Sequence, residues 1–266
     1  MRRKRMPNAK DAADAAYERV IVAGQTGSGK TTQILTLPGK KFVYIFDPNA
    51  LASLKGHDLD YEIFMPEFTE IDSTLKGFNK GAKDDKPVSE KEPTLYLRWV
   101  EDLNRRDDEG FFDDYDWVCF DSLTFLVQAV MDRQLYINGR YGKVEDLGDY
   151  RVVGSKISDV FRTITSLPMH VYATAHIDSF QDEKTKKTEV LLRLPGKARV
   201  MLPLVCTSIF LLSLGDDNKY QAQTRPDQRG LQSIRSSVKG LKQFEDVTIA
   251  DFENPGASGI GNLLTN

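Results

Sequence analysis

The sequence predicts an α/β fold in which a mostly parallel central sheet carries helices on both faces, with β-hairpin additions toward the C-terminus. Three observations predict it. A glycine-rich loop, GQTGSGKT from Gly24 to Thr31, stands between a short apolar run, Arg19 to Ala23, and a stretch from Thr31 to Leu37 able to start a helix. Downstream, short continuous apolar runs alternate with segments of helical spacing, the pattern of parallel strands buried on both faces. After Asp178 the pattern changes to stretches that alternate as hairpins do, first around 179–196 and again from Lys219 to Ser237.

Taken in order, Pro38-Gly39 ends the first helix, and KFVYIF (Lys41 to Phe46) is an apolar strand stopped by Asp47-Pro48-Asn49. Tyr61 to Pro66 is a further short strand, and the polar, proline-broken stretch over about 80–93 reads as an exposed insertion. From Thr94, the spacing of Leu95, Leu97, Trp99, Val100 and Leu103 predicts an amphipathic helix. Trp117 to Phe120 is a continuous apolar strand ending in Asp121-Ser122. Helices from about Leu123 to Tyr136 and about Tyr150 to Ser166 flank an irregular connection with Gly139, Gly142 and Gly148. Met169 to Asp178 holds another buried strand. A basic hairpin over about 179–196 turns near Lys184 to Lys187, a short helix starts at Lys197, and Ser208 to Leu214 is the last core strand. The expected organisation is a basic, polar tail over 1–17, one domain over 18–245 and a flexible, glycine-rich tail over 246–266.

With 266 residues, 40% hydrophobic and 28% charged, the chain is ordinary for a globular protein with a large core, and neither a disordered nor a fibrous class is indicated. Cys119 and Cys206 both sit in apolar runs, which suits small core residues rather than a disulfide or metal pair. A reducing, cytoplasmic setting is the expectation. The basic start MRRKRMPNAK lacks the apolar stretch of a secretion signal, and the longest apolar run, Leu202 to Leu214, is shorter than the ~18 residues of a spanning helix, so no membrane partner is expected. Net charge is −3, yet between Lys184 and Lys242 twelve Lys and Arg stand against four Asp and Glu. Either that excess forms a basic face or it solvates hairpins.

The loop fits G-x-x-x-x-G-K-[ST] at every defined position, and each residue type has a task. Gly24, Gln25, Thr26, Gly27, Ser28 and Gly29 form a run whose backbone N–H groups can point inward as an anion nest at a helix start, with Thr32 continuing it. Lys30 can reach β- and γ-phosphates, and the Thr31 hydroxyl can ligate a phosphate-bound Mg²⁺. A nucleoside triphosphate, ATP, with Mg²⁺ is the expected ligand; no guanine-reading N-K-x-D pattern is present. Such a loop needs a carboxylate to organise the metal, and Asp121 ends a buried strand where open α/β sheets bind ligands. Asp121 or Ser122 could equally cap the helix that follows. His176 ends the next strand, in TAH, either as a structural histidine or as a sensor of the γ-phosphate and the attacking water.

GQTGSGKTT, WVCFDS and HVYATAHID in that order, followed by a basic hairpin, LPGKAR and another strand, resemble the RecA-like branch of P-loop ATPases over roughly Arg19 to Ser237. More narrowly the chain resembles the phage-encoded members associated with recombination and single-strand annealing. The resemblance implies a RecA-like P-loop NTPase fold with the His176 strand between the phosphate-loop strand and the Asp121 strand, an ATPase acting on single-stranded DNA as a homo-oligomer, and the host cytoplasm as its setting. It places Lys184, Lys186, Lys187 and Arg193 where such proteins contact DNA, and Lys197, Arg199 and Arg225 as candidates for a basic residue reaching a neighbour's nucleotide. Tyr172 and Phe180 suit the core better than base stacking. One departure stands out. RecA-like hydrolases usually carry a glutamate just beyond the second core strand to polarise water, and here the position is Asp47, with Glu67 and Glu70 as nearby alternatives. Triphosphate binding is therefore better supported than fast hydrolysis. Two other classes stay open: a nucleotide or small-molecule kinase with LRLPGKAR in a lid, and a nucleotide-gated adaptor in DNA packaging, replication or assembly.

Overall fold

A computed structural model describes residues 17–67, 91–181, 183, 188–215, 217–227 and 233–265. The insertion expected over about 80–93, the basic tail expected over 1–17, Glu70, and the hairpin turn with Lys184, Lys186 and Lys187 lie almost wholly or wholly outside these residues. The chain order is β1 (Arg19–Gly24), a 3-10 helix (Thr32–Thr36), β2 (Lys41–Ile45), α1 (Ala50–Leu54), β3 (Asp60–Ile63), α2 (Leu95–Asp108), β4 (Trp117–Asp121), α3 (Leu123–Ile137) and α4 (Leu147–Ile164). Then follow β5 (His170–Ala175), β6 (Ile177–Gln181), β7 (Thr188–Leu192), α5 (Gly196–Val205), β8 (Ser208–Leu214), β9 (Tyr220–Gln223), β10 (Phe244–Asp246) and α6 (Gly259–Thr265).

Eight strands form one sheet in the order β10-β9-β8-β1-β5-β4-β2-β3, parallel from β8 to β3 and antiparallel at β9 and β10. The His176 strand, β5, lies between β1 and β4 as expected. Its central strands are continuous apolar runs because both faces are covered, and successive residues serve opposite layers. Ile21 and Ala23 of β1 join Phe120, Trp99, Val171 and Ile157 in one core, against α2 to α5. Val20 and Val22 join Ile34, Val43, Tyr172, Phe210 and Ile260 in the other. Cys119 and Cys206 are both buried and free. Among the described residues no helix is long and apolar enough to cross a membrane. This is the P-loop NTPase fold.

Several elements differ from their sequence expectation. α4 begins at Leu147 rather than Tyr150, because Asp146 and Asp149 form a reciprocal cap: the Asp146 carboxylate accepts from Asp149 N at 2.9 Å and Asp149 accepts from Asp146 N at 3.0 Å. Among the described residues, the stretch expected as a second hairpin does not pair with itself. β9 pairs with β8 on one side and with β10 on the other, while Arg235 makes an isolated bridge to Ile209. Phe180 is 54% exposed on the two-stranded β6–β7 hairpin, not in the core.

The largest correction concerns 246–266, expected as a flexible tail. α6 packs on the 3-10 helix behind the phosphate loop. Ile260 is fully buried, its N–H donates to Gln33 Oε1 at 2.7 Å, and Gly261 N donates to Thr36 Oγ1 at 2.8 Å. Glycine is needed at 261 because a Cβ there would lie 1.8 Å from the Thr36 carbonyl oxygen. Glycine-rich composition here marks close approach of two backbones rather than fraying. Ile260→Ala should therefore lower unfolding free energy by about 2–5 kcal/mol, read from a denaturant midpoint at constant slope. A change below about 0.5 kcal/mol, the range of ordinary surface substitutions, would mean that this segment is not part of the core.

Candidate nucleotide site

The carboxyl ends of β1, β5, β4 and β2 converge, and the phosphate loop closes over them. Gly27 and Gly29 have φ of 81° and 85°, a region that favours glycine, and a Cβ on Gly24 would meet Ser28 Oγ at 2.4 Å and Leu212 O at 2.7 Å. The loop is tied down at its far end, where Gln33 N donates to Gly29 O at 3.1 Å and the buried Tyr172 hydroxyl donates to Lys30 O at 3.0 Å. Tyr172 thus belongs to the core, as its sequence suggests, and also holds the loop.

Lys30 is 7% exposed, with Nζ donating to Gly24 O at 3.0 Å and to Gln25 O at 2.8 Å. Burial lowers its pKa, while Asp121 and Asp47 work in the opposite direction. The ammonium thus folds back on its own loop, able to exchange two carbonyl acceptors for phosphate oxygens.

Asp121 sits at the end of β4 with 1% exposure. Thr31 Oγ1 donates to its Oδ2 at 2.7 Å, and Thr174 Oγ1 of β5 donates to Oδ1. Burial raises the carboxyl pKa; the two hydroxyls and Lys30 oppose that shift, and Asp47 adds to it. The Asp121–Ser122 peptide bond is cis, and the Asp121 carbonyl accepts from Phe46 N at 2.6 Å and Asp47 N at 3.0 Å. Neither Asp121 nor Ser122 caps α3 through its side chain; Ser122 occupies the N-cap position without a side-chain hydrogen bond.

His176, just beyond β5, faces Asp47, just beyond β2, with Nε2 to Oδ2 at 3.9 Å. Burial lowers the imidazole pKa, Lys30 and Arg193 add to this, and Asp47 opposes it, so the neutral ring is favoured. The His176 backbone N–H donates to Thr124 Oγ1 at 3.0 Å, and Phe125 meets the imidazole ring edge-on at 6.1 Å. Glu67 lies instead beside Arg98, at 3.7 Å.

One cavity of about 360 Å³ brings together Thr26, Gly27, Gly29, Lys30, Thr31 and Thr32 with Asp47, Asp121 and His176. A second, of about 490 Å³, is lined in part by Thr124, Glu145, Tyr150, Asp178, Arg193 and Arg199. Arg193 N donates to His176 O at 2.8 Å, so the two cavities share one backbone link. Among the described residues, Lys197 and Arg225 engage other parts of this chain and do not line the phosphate-loop cavity. Lys197 Nζ donates to Ser155 Oγ at 2.9 Å, and Arg225 Nη2 donates to Leu241 O at 2.8 Å.

Sequence reading missed Thr124 and Tyr220, which line these cavities, and the buried Thr174, which reaches the site through Asp121. Thr174 carries a weak signal, since it shares a strand face with His176 two residues on. Thr124 stands in the first turn after Asp121-Ser122. Tyr220 has no local signal, because its place depends on how β9 joins the sheet.

A family model described as an AAA domain matches residues 16–230. None of the curated proteins compared with the chain matches it. The match spans the phosphate loop, both acidic strand ends and His176, and it agrees with the parallel sheet that carries them; the chain belongs to the AAA domain family, as a P-loop ATPase domain.

Proposed function

We propose that this chain binds ATP with Mg²⁺, hydrolyses it, and couples the nucleotide state to single-stranded DNA as a RecA-like ATPase of the kind that phages encode for recombination. The observation that carries the nucleotide reading is the hydrogen bond from Thr31 of the loop to the buried Asp121, with Lys30 alongside. Thr31 hydroxyl and Asp121 carboxylate are the hard oxygen donors that suit Mg²⁺. Among the described residues no cluster of three or more His, Cys, Asp or Glu could hold an ion unaided, as fits a metal that takes most of its ligands from phosphate and water. Bound there, Mg²⁺ supplies positive charge to the β- and γ-phosphate oxygens.

The chain's own groups then divide the work. Lys30 moves from the loop carbonyls to the phosphates, and loop N–H groups hold the remaining oxygens. Asp47 and the neutral His176 orient a water toward the γ-phosphorus. The water's oxygen bonds to phosphorus, the bond to the β-bridging oxygen breaks, and Asp47 accepts the proton. Asp47 is one methylene shorter than the usual glutamate, which favours slow turnover, and that keeps a nucleotide-gated adaptor as a second reading.

For DNA, support comes from Phe180 exposed on the β6–β7 hairpin, from the Arg193–His176 link to the nucleotide side, and from Arg199 at the start of α5, in a second cavity where Glu145 and Asp178 balance the two arginines. Lys184, Lys186 and Lys187 extend the basic segment in sequence. Lys197, Arg199 and Arg225 remain candidates to act across a subunit boundary.

Lys30→Ala should abolish nearly all ATP binding in a folded protein, measured by calorimetry with circular dichroism as the folding control. Asp121→Asn should keep nucleotide binding but lose Mg²⁺-dependent turnover; equal loss of ATP binding with and without Mg²⁺ would contradict that role. Replacing Lys184, Lys186 and Lys187 by alanine should shrink the slope of log affinity against log salt for single-stranded DNA by about 2, and an unchanged slope would leave the segment a solvated surface. If a basic residue acts in trans, mixing inactive Lys30→Ala with an inactive Arg199→Ala chain should restore part of the turnover. No rescue there, nor with Lys197→Ala or Arg225→Ala, would remove the shared-site reading.

A further inference from the structure

The phosphate loop has two flanks, and the order of the sheet separates them. Through β5, β4 and β2 lie His176, Asp121 and Asp47; through β8 and β9 lies Tyr220, the first residue of β9. Tyr220 lines the same cavity as Lys30, Thr31 and Thr32. Its half-buried ring lies along the loop itself, so that a Cβ on Gly29 would come within 3.2 Å of Cδ1 and 3.3 Å of Cε1.

The backbone that carries the ring is held by strand pairing and by hydrogen bonds that lead back to the loop. Tyr220 pairs with Leu214 of β8, its N–H donates to Thr248 Oγ1 at 2.9 Å, and its carbonyl accepts from Val247 N at 2.9 Å. The Val247 carbonyl accepts from Gln33 Nε2 at 2.7 Å, and Gln33 N returns to Gly29 O. An aromatic ring held this firmly loses little freedom when a ligand packs on it.

A linear triphosphate has one free end and one esterified end. If its γ end lies among Lys30, Thr31 and Asp121, the α-phosphate runs toward the other flank, and the sugar and base leave the loop on the side of Tyr220. We propose that Tyr220 is the nucleoside-contacting residue of this site, the aromatic wall that makes it prefer a nucleoside triphosphate to bare polyphosphate. The assignment rests on the nucleotide reading given above. Stacking on one ring is tolerant of base identity, since every base has a π-face. Tyr220 therefore selects for a nucleoside rather than for adenine over guanine.

The test compares Mg²⁺-ATP with Mg²⁺-tripolyphosphate, by calorimetry, on the wild type, Tyr220→Phe and Tyr220→Leu. Tyr220→Phe should hold ATP affinity within about twofold. Tyr220→Leu should weaken ATP by about tenfold, the scale of losing one base–aromatic stack, with tripolyphosphate affinity unchanged. Equal losses for both ligands would overturn the assignment and make the ring a brace for Gly29 alone, while the nucleotide reading would stand. Wild-type protein that binds neither ligand would overturn the nucleotide reading and the assignment with it. Because Tyr220→Leu could fail to fold, the wild type gives an independent arm: photolysis with 8-azido-ATP should label the tryptic peptide that begins at Tyr220, and labelling confined to other peptides would overturn the assignment.

Discussion

A single carboxylate, that of Asp121, joins the parts of this site. Its two oxygens accept from Thr31 on the phosphate loop and from Thr174 on β5, and its carbonyl receives the N–H groups that start the turn to Asp47. Removing a carboxylate from water is costly unless hydrogen bonds and a cation compensate. Both kinds of compensation come from β4's neighbour β5 and from beyond it: Thr174 from β5 itself, and Thr31 and Lys30 from the loop that follows β1, so β1, β5 and β4 must stand side by side for the group to be tolerated. The apolar runs that build those strands and the polar tips that end them are two aspects of one requirement.

The parts legible in the sequence are those whose signal is local. The phosphate loop has a fixed spacing, and β1, β2, β4, β5 and β8 are apolar runs that end in Gly24, Asp47, Asp121, His176 and Gly215, or just before them. What sequence reading lost depends on tertiary closure. The alternation over Lys219 to Ser237 indicates extended chain but not its partner, and Tyr220 acquires its neighbours only because β9 pairs with β8. The glycines near the C-terminus look like a flexible segment until the Thr36 carbonyl is seen against Gly261. The early start of α4 was readable in principle, since Asp146 and Asp149 stand at the spacing of a reciprocal cap. There the glycine at 148 outweighed them.

His176 stands between two cavities of different character. Its side chain turns to Asp47 and the phosphate loop, while its backbone accepts from Arg193 and donates to Thr124. A shift of the hairpin that carries Arg193 would act on the strand end that carries the imidazole, with no need for a longer path.

The contacts that brace the phosphate loop from behind join residues very far apart in the chain: Gln33 and Ile260 differ by 227 positions, and Thr36 and Gly261 by 225. Bringing such distant points together carries a large loop-closure entropy, and interactions of this separation form late unless an earlier nucleus has already aligned the chain. The loop can acquire its sequence-encoded turn early, yet its supporting layer waits for nearly the whole domain. Amide exchange in α6 should then report the sub-global opening that releases this layer, and a ligand held by the loop would slow it by mass action on the closed state.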